Sequence, residues 1–229
     1  DKIVLYILDE QAGMDLYEAG ELDVVAVPST ELDRVKSDPV LSEELYIGPN
    51  LCSYYYGFNI EKEPFDNVHL RRALSMAVDR VDLVENVTQG GQEPAQWFAR
   101  PGLAAAPTID THPDTGIWYD PEAALEELGM ALADLGLASV DELPAITLMH
   151  NTSEGHARIA TAIQQMWVEE LGLEVQVANQ EWSVYLDLLD EDPPQIFRLG
   201  WCPDYADVHN FTADVFMSTS GNNHTNYAS

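Results

Sequence analysis

The sequence predicts an α/β protein, because segments with strand character and segments with helix character alternate along it. Between residues 146 and 201, short apolar runs alternate with longer segments whose apolar residues recur at helical spacing. Near the start, an apolar run, a helical stretch and a second apolar run follow in that order. Units of this kind pack with a parallel sheet, so we expect a sheet flanked by helices.

The first unit lies within residues 3–28. Ile3–Leu8 (IVLYIL) is a continuous apolar run of the length of a buried strand. A helical stretch over Gly13–Glu18 ends at Gly20, and Leu22–Val27 (LDVVAV) forms the second predicted strand before Pro28. This part of the chain therefore predicts one strand–helix–strand unit.

The middle of the chain begins with an aromatic segment. Leu51–Ile60 (LCSYYYGFNI) alternates and predicts an extended strand. Asp66 or Asn67 can cap the helix that follows. Its apolar stripe consists of Leu70, Ala73, Leu74, Ala77, Val78 and Val81. Residues 88–120 are rich in proline and glycine, which predicts a loop.

The second half repeats strand and helix patterns. Asp120 and Pro121 begin a helix that ends at Gly136, and Ser153 and Gly172 bound a second helix. The further predicted elements are a strand over Ile146–His150, the helix over Glu154–Leu171, a strand over Leu173–Val177, a short helix over Ser183–Leu189 and a strand over Gln195–Trp201. After Asp204 the pattern predicts no closing element.

Charge excludes some partners. The chain has 10 Lys and Arg residues against 40 Asp and Glu residues, a net charge of −30. Such a surface repels phosphate backbones and anionic lipids, so we expect no nucleic-acid partner. No stretch approaches the roughly 18 apolar residues of a membrane-spanning helix. The start at Asp1, without Met or a leader, indicates a removed signal or a segment of a longer protein.

Catalytic motifs are absent from the sequence. It contains no G-x-S-x-G, H-E-x-x-H or P-loop pattern. His150 and His156 lie six positions apart across a predicted strand-to-helix turn, which is only a weak signal for a metal. We therefore predict that the chain is not an enzyme, with no metal and no cofactor.

The two cysteines, Cys52 and Cys202, are far apart in sequence. The residues alone leave two interpretations open. In a cytosolic protein they are independent buried thiols, and in an exported protein they are the minimum set for one disulfide.

Three segments together resemble the periplasmic oligopeptide-binding family, the solute receptors of peptide ABC importers (solute-binding protein family 5). Leu51–Arg80 carries LCSYYYGFNI and PFDNVHLRRALSMAVDR, Tyr119–Glu127 carries YDPEAALEE, and Met166–Tyr205 carries NQEW and GWCPDY. The pair NQEW and GWCPDY is similar to the oligopeptide branch rather than to the dipeptide, nickel or sugar branches.

The resemblance implies a type II periplasmic-binding-protein fold, in which two lobes close on a ligand. Residues 1–50 are expected to form a small α/β piece of the first lobe, up to a hinge crossover near Gly48–Leu51. Residues 51–229 are expected to form the second, peptide-binding lobe, incomplete at its C-terminus. The implied partners are an oligopeptide and the permease subunits of an ABC transporter. The implied location is the periplasm or the outer face of the membrane, with a lipid anchor as one option. A chain with one lobe and part of the other is expected to bind peptide weakly.

The resemblance also implies residues of the peptide site. Asp204 matches an aspartate that pairs with the peptide ammonium, although a turn or N-cap aspartate is the structural alternative. Trp201 and Cys202 lie on the strand that pairs with the peptide main chain, and Trp201 is equally suited to a core. Tyr55 matches a tyrosine of the cleft, whereas the alternation of a strand turns Tyr54 and Tyr56 toward the core.

Arg198 and His156 match positions that meet the carboxylate of the peptide, and a guanidinium suits that group well. The alternatives are a structural salt bridge for Arg198 and an exposed helix position for His156. Cys52 and Cys202 match two cysteines that are bonded to each other in the oligopeptide branch, which implies a disulfide.

Three departures leave the ligand open. A second arginine is missing from LDLLDEDPPQ, Thr88 stands near the position of a lysine, and Asn50 stands at the position of a cleft tyrosine. The alternatives are therefore a receptor of the same family for a dipeptide, a sugar or a nickel complex, and a sensor domain.

Overall fold

A computed structural model describes residues 2–48 and 50–228. Its centre is a four-stranded mixed sheet in the order β1-β4-β2-β3. The strands are β1 (Ser53–Phe58), β2 (Thr147–Asn151), β3 (Gln176–Gln180) and β4 (Ile196–Trp201). β1 is antiparallel to β4, whereas β2 is parallel to both β4 and β3. The predicted α/β class is confirmed.

Helices cover both faces of the sheet. In chain order they are α1 (Glu10–Glu18), α2 (Leu32–Ser37), α3 (Leu41–Glu44), α4 (Val68–Met76), α5 (Arg80–Asp82), α6 (Pro121–Leu135), α7 (Glu154–Leu171), α8 (Trp182–Glu191) and α9 (Val208–Phe216). A π-helical turn covers Leu83–Thr88 and a 3-10 turn covers Val140–Glu142.

The main core lies between one sheet face and α4, α6 and α7. Leu148 and Ile196 point into it and are fully buried. Trp167 of α7 is also buried and donates from Nε1 to the Leu74 carbonyl at 2.9 Å, which joins α7 to α4. Since successive strand residues point to opposite faces, Phe197 packs on the other face under α8. Gly57 opposes Phe197, and a Cβ at position 57 would collide with the Phe197 ring.

Helix caps read from the sequence are confirmed. The side chains of Asn67, Asp120 and Ser153 each accept a backbone N–H of the first turn of α4, α6 and α7. Gly136 and Gly172 end two of these helices with φ of 71° and 65°, values that glycine adopts readily.

The two strands predicted within residues 3–28 are wrong. Both segments are unpaired, and Ile7 and Val24 are 102% and 84% exposed. A strand is held by hydrogen bonds to a neighbouring strand, and no described residue provides that neighbour. The helix between them is confirmed as α1, which is capped by Asp9 and followed by Gly20.

The bounds of two other elements differ from expectation. α4 ends at Met76 and Val81 is exposed, because Asp79 caps a new turn through the N–H groups of Val81 and Asp82. β3 begins at Gln176, three residues later than predicted. The residues before it, Leu173 and Val175, are buried in the main core.

α9 was missed in the sequence. Asp207 caps it, and Phe211 and Val215 form its buried side. This spacing, with Asp207 just before the apolar positions, was the signal available. Over the described residues, no helix combines the length and apolar character needed to cross a membrane.

Candidate functional site

One edge of β4 lacks a strand partner among the described residues over its last four positions. β1 pairs with β4 along the whole strand, from Ser53 opposite Trp201 to Phe58 opposite Ile196. β2 pairs with the other edge only at Ile196 and Phe197. Beyond Phe197, that edge has no strand partner within the part of the chain that the structure describes.

The hydroxyl of Tyr185 marks the point where the strand pairing stops. It accepts the backbone N–H of Arg198 at 2.8 Å and lies 2.7 Å from the Arg198 carbonyl and 3.1 Å from the Met149 carbonyl. Tyr185 thus takes the place of a strand partner for Arg198. Alternate residues present their backbone groups to the same edge, so those of Gly200 and Cys202 also face the gap. Both residues are exposed, and we call the backbone edge at Gly200 and Cys202 the open edge.

A disulfide fixes the far end of the open edge. Cys52 and Cys202 are bonded, with their Cα atoms 4.1 Å apart, one step beyond the pair formed by Ser53 and Trp201. The structure thus contains the disulfide that the resemblance implied. It closes a loop of 150 residues and ties β1 to the end of β4.

Arg198 extends from β4 on the side that faces α7. Its guanidinium carbon lies 4.4 Å from the ring centroid of Tyr54, and its Nη1 donates to Asn151 Oδ1 at 3.1 Å. Its Nε is buried without a hydrogen-bond partner. Among the described residues no carboxylate lies within ion-pair distance of Arg198, so the structural salt bridge considered for it is wrong. A partly buried cation without a counter-charge is costly, and an incoming anion relieves that cost.

His156 lies in the first turn of α7 beside the same group. Its Nδ1 is 3.3 Å from the hydroxyl of Tyr54. Burial, followed by the nearby charges of Arg198 and His150, lowers the pKa of His156 to about 4. The imidazole is therefore neutral at neutral pH, and it is half-buried rather than at an exposed helix position.

Tyr54 differs from its prediction. It was expected in the core, but its side chain is 39% exposed and contacts both Arg198 and His156. Tyr56, on the same face, is partly buried against the main core, as expected. The alternation of the strand gave the correct face, but the sequence does not reveal that β4 and α7 leave the outer part of this face open.

Tyr55 and Trp201 lie on the opposite face. The ring of Tyr55 meets the edge of Phe98 at 4.9 Å, and burial raises the pKa of its phenol to about 12. Trp201 packs in a small apolar cluster with Phe211 and donates to Asn210 Oδ1 at 2.9 Å. Both side chains therefore contribute to packing beside β4.

Asp204 follows the open edge. Its backbone N–H donates to Asn210 Oδ1 at 3.3 Å, whereas its exposed carboxylate forms no ion pair with any described residue. The N-cap role considered for Asp204 belongs to Asp207, which accepts the N–H of His209 at 2.8 Å. The Asp204 carboxylate is thus accessible from solvent.

The predicted site residues form three groups around one strand. Arg198 and His156 lie on one face of the strand, beside Tyr54. Tyr55 and Trp201 lie on the opposite face. Cys202 and Asp204 lie at the end of the strand. Surface depressions of about 490 and 700 Å³ elsewhere include none of the six predicted residues. An open strand edge between a cation and a carboxylate is suited to an extended chain with charged ends.

The four-stranded mixed sheet with helices on both faces defines an α/β lobe of the periplasmic-binding-protein type. The chain belongs to the family described as bacterial extracellular solute-binding proteins, family 5 Middle, which it matches over residues 1–223.

Relatives with assigned names agree with this family. The chain is 39% identical over 217 residues to the oligopeptide-binding protein OppA of Bacillus subtilis, covering 92% of this chain and 38% of that protein. It is 32% identical over 227 residues to the periplasmic oligopeptide-binding protein OppA of Escherichia coli, covering 98% and 40%. The chain thus spans 38–40% of the length of these relatives.

Solved structures share the fold. The murein tripeptide binding protein MppA of Escherichia coli superposes with a TM-score of 0.81 at 28% identity, over 96% of this chain and 42% of that one. Haemophilus influenzae OppA in complex with RPPGFSPFR gives a TM-score of 0.79 at 28% identity, over 96% and 43%. The expected fold of a periplasmic binding protein is confirmed.

Proposed function

We propose that this chain is part of the extracytoplasmic receptor of an ABC importer, and that it captures oligopeptides through their main chain and their charged ends. The observation that carries the proposal is the open edge next to Arg198, a cation that no described carboxylate neutralises. Relatives named as oligopeptide-binding proteins support it.

In this proposal the peptide adds to β4 as a new strand. Its backbone pairs with Gly200 and Cys202, so its side chains contribute little to affinity and many sequences are accepted. Its ammonium meets Asp204 and its carboxylate meets Arg198, which makes the peptide antiparallel to β4. Side chains of the peptide then alternate between the face of Tyr54 and the face of Tyr55.

We further propose that residues 1–50 belong to a first lobe and residues 51–229 to the second. The contacts between the two parts include Ser153 Oγ donating to Glu10 Oε1 at 3.1 Å and Lys36 Nζ donating to the Gln89 carbonyl at 2.9 Å. The proposed hinge, Gly48–Leu51, includes Pro49, which lies outside the described residues. A form of MppA described as unliganded and open superposes with a TM-score of 0.70, against 0.81 for the other MppA structure, and we propose that the difference reflects movement between the two parts.

The remaining assignments follow from the family. A receptor of this kind delivers its ligand to permease subunits, acts outside the cytoplasm and catalyses no reaction. Lipid anchoring belongs to the same proposal as one means of keeping such a receptor near its permease. These assignments concern a whole receptor, of which this chain matches the middle part.

The test is a titration of the chain with alanine peptides from dipeptide to pentapeptide, followed by the backbone amide resonances. Because NMR detects weak binding, it suits a chain that carries only part of a clamp. We expect shifts at Gly200 and Cys202, and an affinity at least about tenfold lower, or about 1.4 kcal/mol, for Arg198→Gln and for Asp204→Asn.

Matched controls are Arg158→Gln and Asp187→Asn, two exposed residues on helices, which should leave the affinity unchanged. Deoxycholate is a useful competitor, because a relative with 32% identity is named as a probable deoxycholate-binding protein. It carries a carboxylate but no peptide main chain. Shifts at Gly200 and Cys202 with deoxycholate, a sugar or Ni²⁺, and none with peptides, would replace the peptide assignment by another solute.

A further inference from the structure

We propose that Tyr54 is a positioning residue for the carboxylate of the ligand, because one side chain holds both Arg198, through its ring, and His156, through its hydroxyl. The inference rests on the proposed function. It adds a residue that the sequence had assigned to the core, and it states how two carboxylate-binding side chains are held without a salt bridge.

The contact with Arg198 follows from the register of β1 and β4. Tyr54 is opposite Gly200, and Tyr56 is opposite Arg198, so Tyr54 and Arg198 are diagonal neighbours on one face. Gly200 has no side chain there, and a Cβ at that position would make only ordinary contact with Arg198 Nη2, at 3.9 Å. The guanidinium can therefore lie over the ring of Tyr54, where the ring face attracts a cation.

This arrangement leaves some N–H groups of the Arg198 guanidinium without a hydrogen-bond partner among the described residues. The ring covers one face of it, and Asn151 accepts one N–H from Nη1. The buried Nε has no partner, and no described carboxylate competes for the group. The ring thus fixes the long side chain of Arg198 while leaving N–H groups for a carboxylate, which a salt-bridged arginine could not do.

The hydroxyl of Tyr54 acts on His156. The hydroxyl oxygen of Tyr56 lies 3.4 Å from the hydroxyl oxygen of Tyr54. The Tyr54 hydroxyl oxygen in turn lies 3.3 Å from His156 Nδ1. Burial raises the pKa of both phenols, so both remain protonated donors. We assign the direction Tyr56 to Tyr54 to His156 Nδ1, which leaves the proton of the neutral imidazole on Nε2 as a further donor.

The first experiment compares a peptide acid with its C-terminal amide. The quantity measured is the ratio of their two dissociation constants, determined for the chain and its variants with the alanine peptide that binds best. We expect the acid to bind at least about tenfold more tightly than the amide to the unaltered chain. Tyr54→Leu should bring the ratio near one, as Arg198→Gln does, whereas Tyr54→Phe keeps the ring and most of the preference.

Tyr46→Leu is the matched control, since Tyr46 is an exposed tyrosine outside the strands of the sheet, and it should leave the ratio unchanged. A folded Tyr54→Leu variant, identified by its near-UV circular dichroism, that keeps the full preference for the acid would overturn the role assigned to the ring. If Tyr54→Leu does not fold, a Tyr54→Trp variant, which retains an aromatic face, should keep the preference, and loss of the preference there counts against the inference.

The second experiment needs no ligand, so it separates this inference from the proposed function. The ¹⁵N shifts of the His156 imidazole report which nitrogen carries the proton. We expect the Nε2–H form in the unaltered chain and a mixture of both forms in Tyr54→Phe. A shift pattern that is the same in both proteins contradicts the role of the hydroxyl. If no peptide binds but Tyr54→Phe still changes the tautomer of His156, the peptide function is overturned. The contact between Tyr54 and His156 is then still supported.

Discussion

The described residues before position 49 and those after it use similar apolar sequences in different ways. IVLYIL near the start and IFRLGW in β4 are both short runs with strand character. Ile196 of the second run is fully buried, whereas Ile7 of the first is fully exposed. All three apolar clusters of the described chain are built from residues beyond position 50. An apolar pattern therefore indicates that a segment is able to form a buried strand. Whether the strand forms depends on a neighbouring strand with which it can pair.

Of the changes predicted, loss of the disulfide should lower the stability most, because the loop that it closes is long. This loop lies wholly in the part after position 49. Replacing Cys52 and Cys202 by Ser frees a 150-residue loop in the unfolded chain. The chain-entropy relation gives a loss of about 5 kcal/mol in the free energy of unfolding. Urea denaturation measures it, and a loss below about 1 kcal/mol would mean that the bond does not hold the two strand ends.

A pair of truncations compares the two parts directly. Trp167→Ala removes a buried indole and its hydrogen bond to Leu74, and it should cost about 3–5 kcal/mol. Ile7→Ala removes an exposed side chain and should change the stability by less than about 0.5 kcal/mol. Equal losses in urea denaturation would show that the first part is packed in solution and would remove the contrast.

Two tyrosine hydroxyls provide a finer comparison. Tyr185→Phe removes the buried hydroxyl bonded to the backbone of Arg198 and should cost about 1–3 kcal/mol, because a buried N–H loses its partner. Tyr17→Phe removes an exposed bond to Glu44 at 2.7 Å and should cost less than about 1 kcal/mol. Amide exchange at Arg198 should accelerate only in Tyr185→Phe, and acceleration in neither variant would rule out Tyr185 as a strand substitute.

The pKa of His156 predicts a pH-dependent effect on stability. Its folded value of about 4 lies below the ordinary value of about 6.5. Between these values the unfolded chain binds a proton at this site and the folded chain does not, so stability falls as the pH decreases through that window. His156→Gln removes this contribution. The free energy of unfolding of the unaltered chain relative to the variant should fall from pH 7 to pH 4, and a constant difference would contradict the shift.

The sequence predicted most of the part after position 49, because caps and apolar spacing are local signals. Ser153 and Gly172 gave the bounds of α7 without error, since a cap depends on a few adjacent residues. The motif GWCPDY led to Asp204 and Cys202, and their accessibility agrees with that interpretation. The role of these residues in binding remains a prediction.

Non-local features could not be predicted. The register that brings Tyr54 beside Arg198 and the gap maintained by Tyr185 depend on how three elements meet in space. The same reason explains the two unpaired segments near the start. Their sequence predicts strands, but pairing depends on a partner strand elsewhere along the chain, and the described residues include none.

Hydrogen exchange along β4 with and without peptide tests the central claim most directly. Gly200 and Cys202 direct their N–H groups to the open edge, whereas Leu199 and Trp201 direct theirs to β1, so the strand contains its own control. We predict that a bound alanine peptide slows exchange at Gly200 and Cys202 and leaves Leu199 and Trp201 unchanged. Equal protection of all four amides, or none at the open edge when binding is saturated, would contradict strand addition at β4.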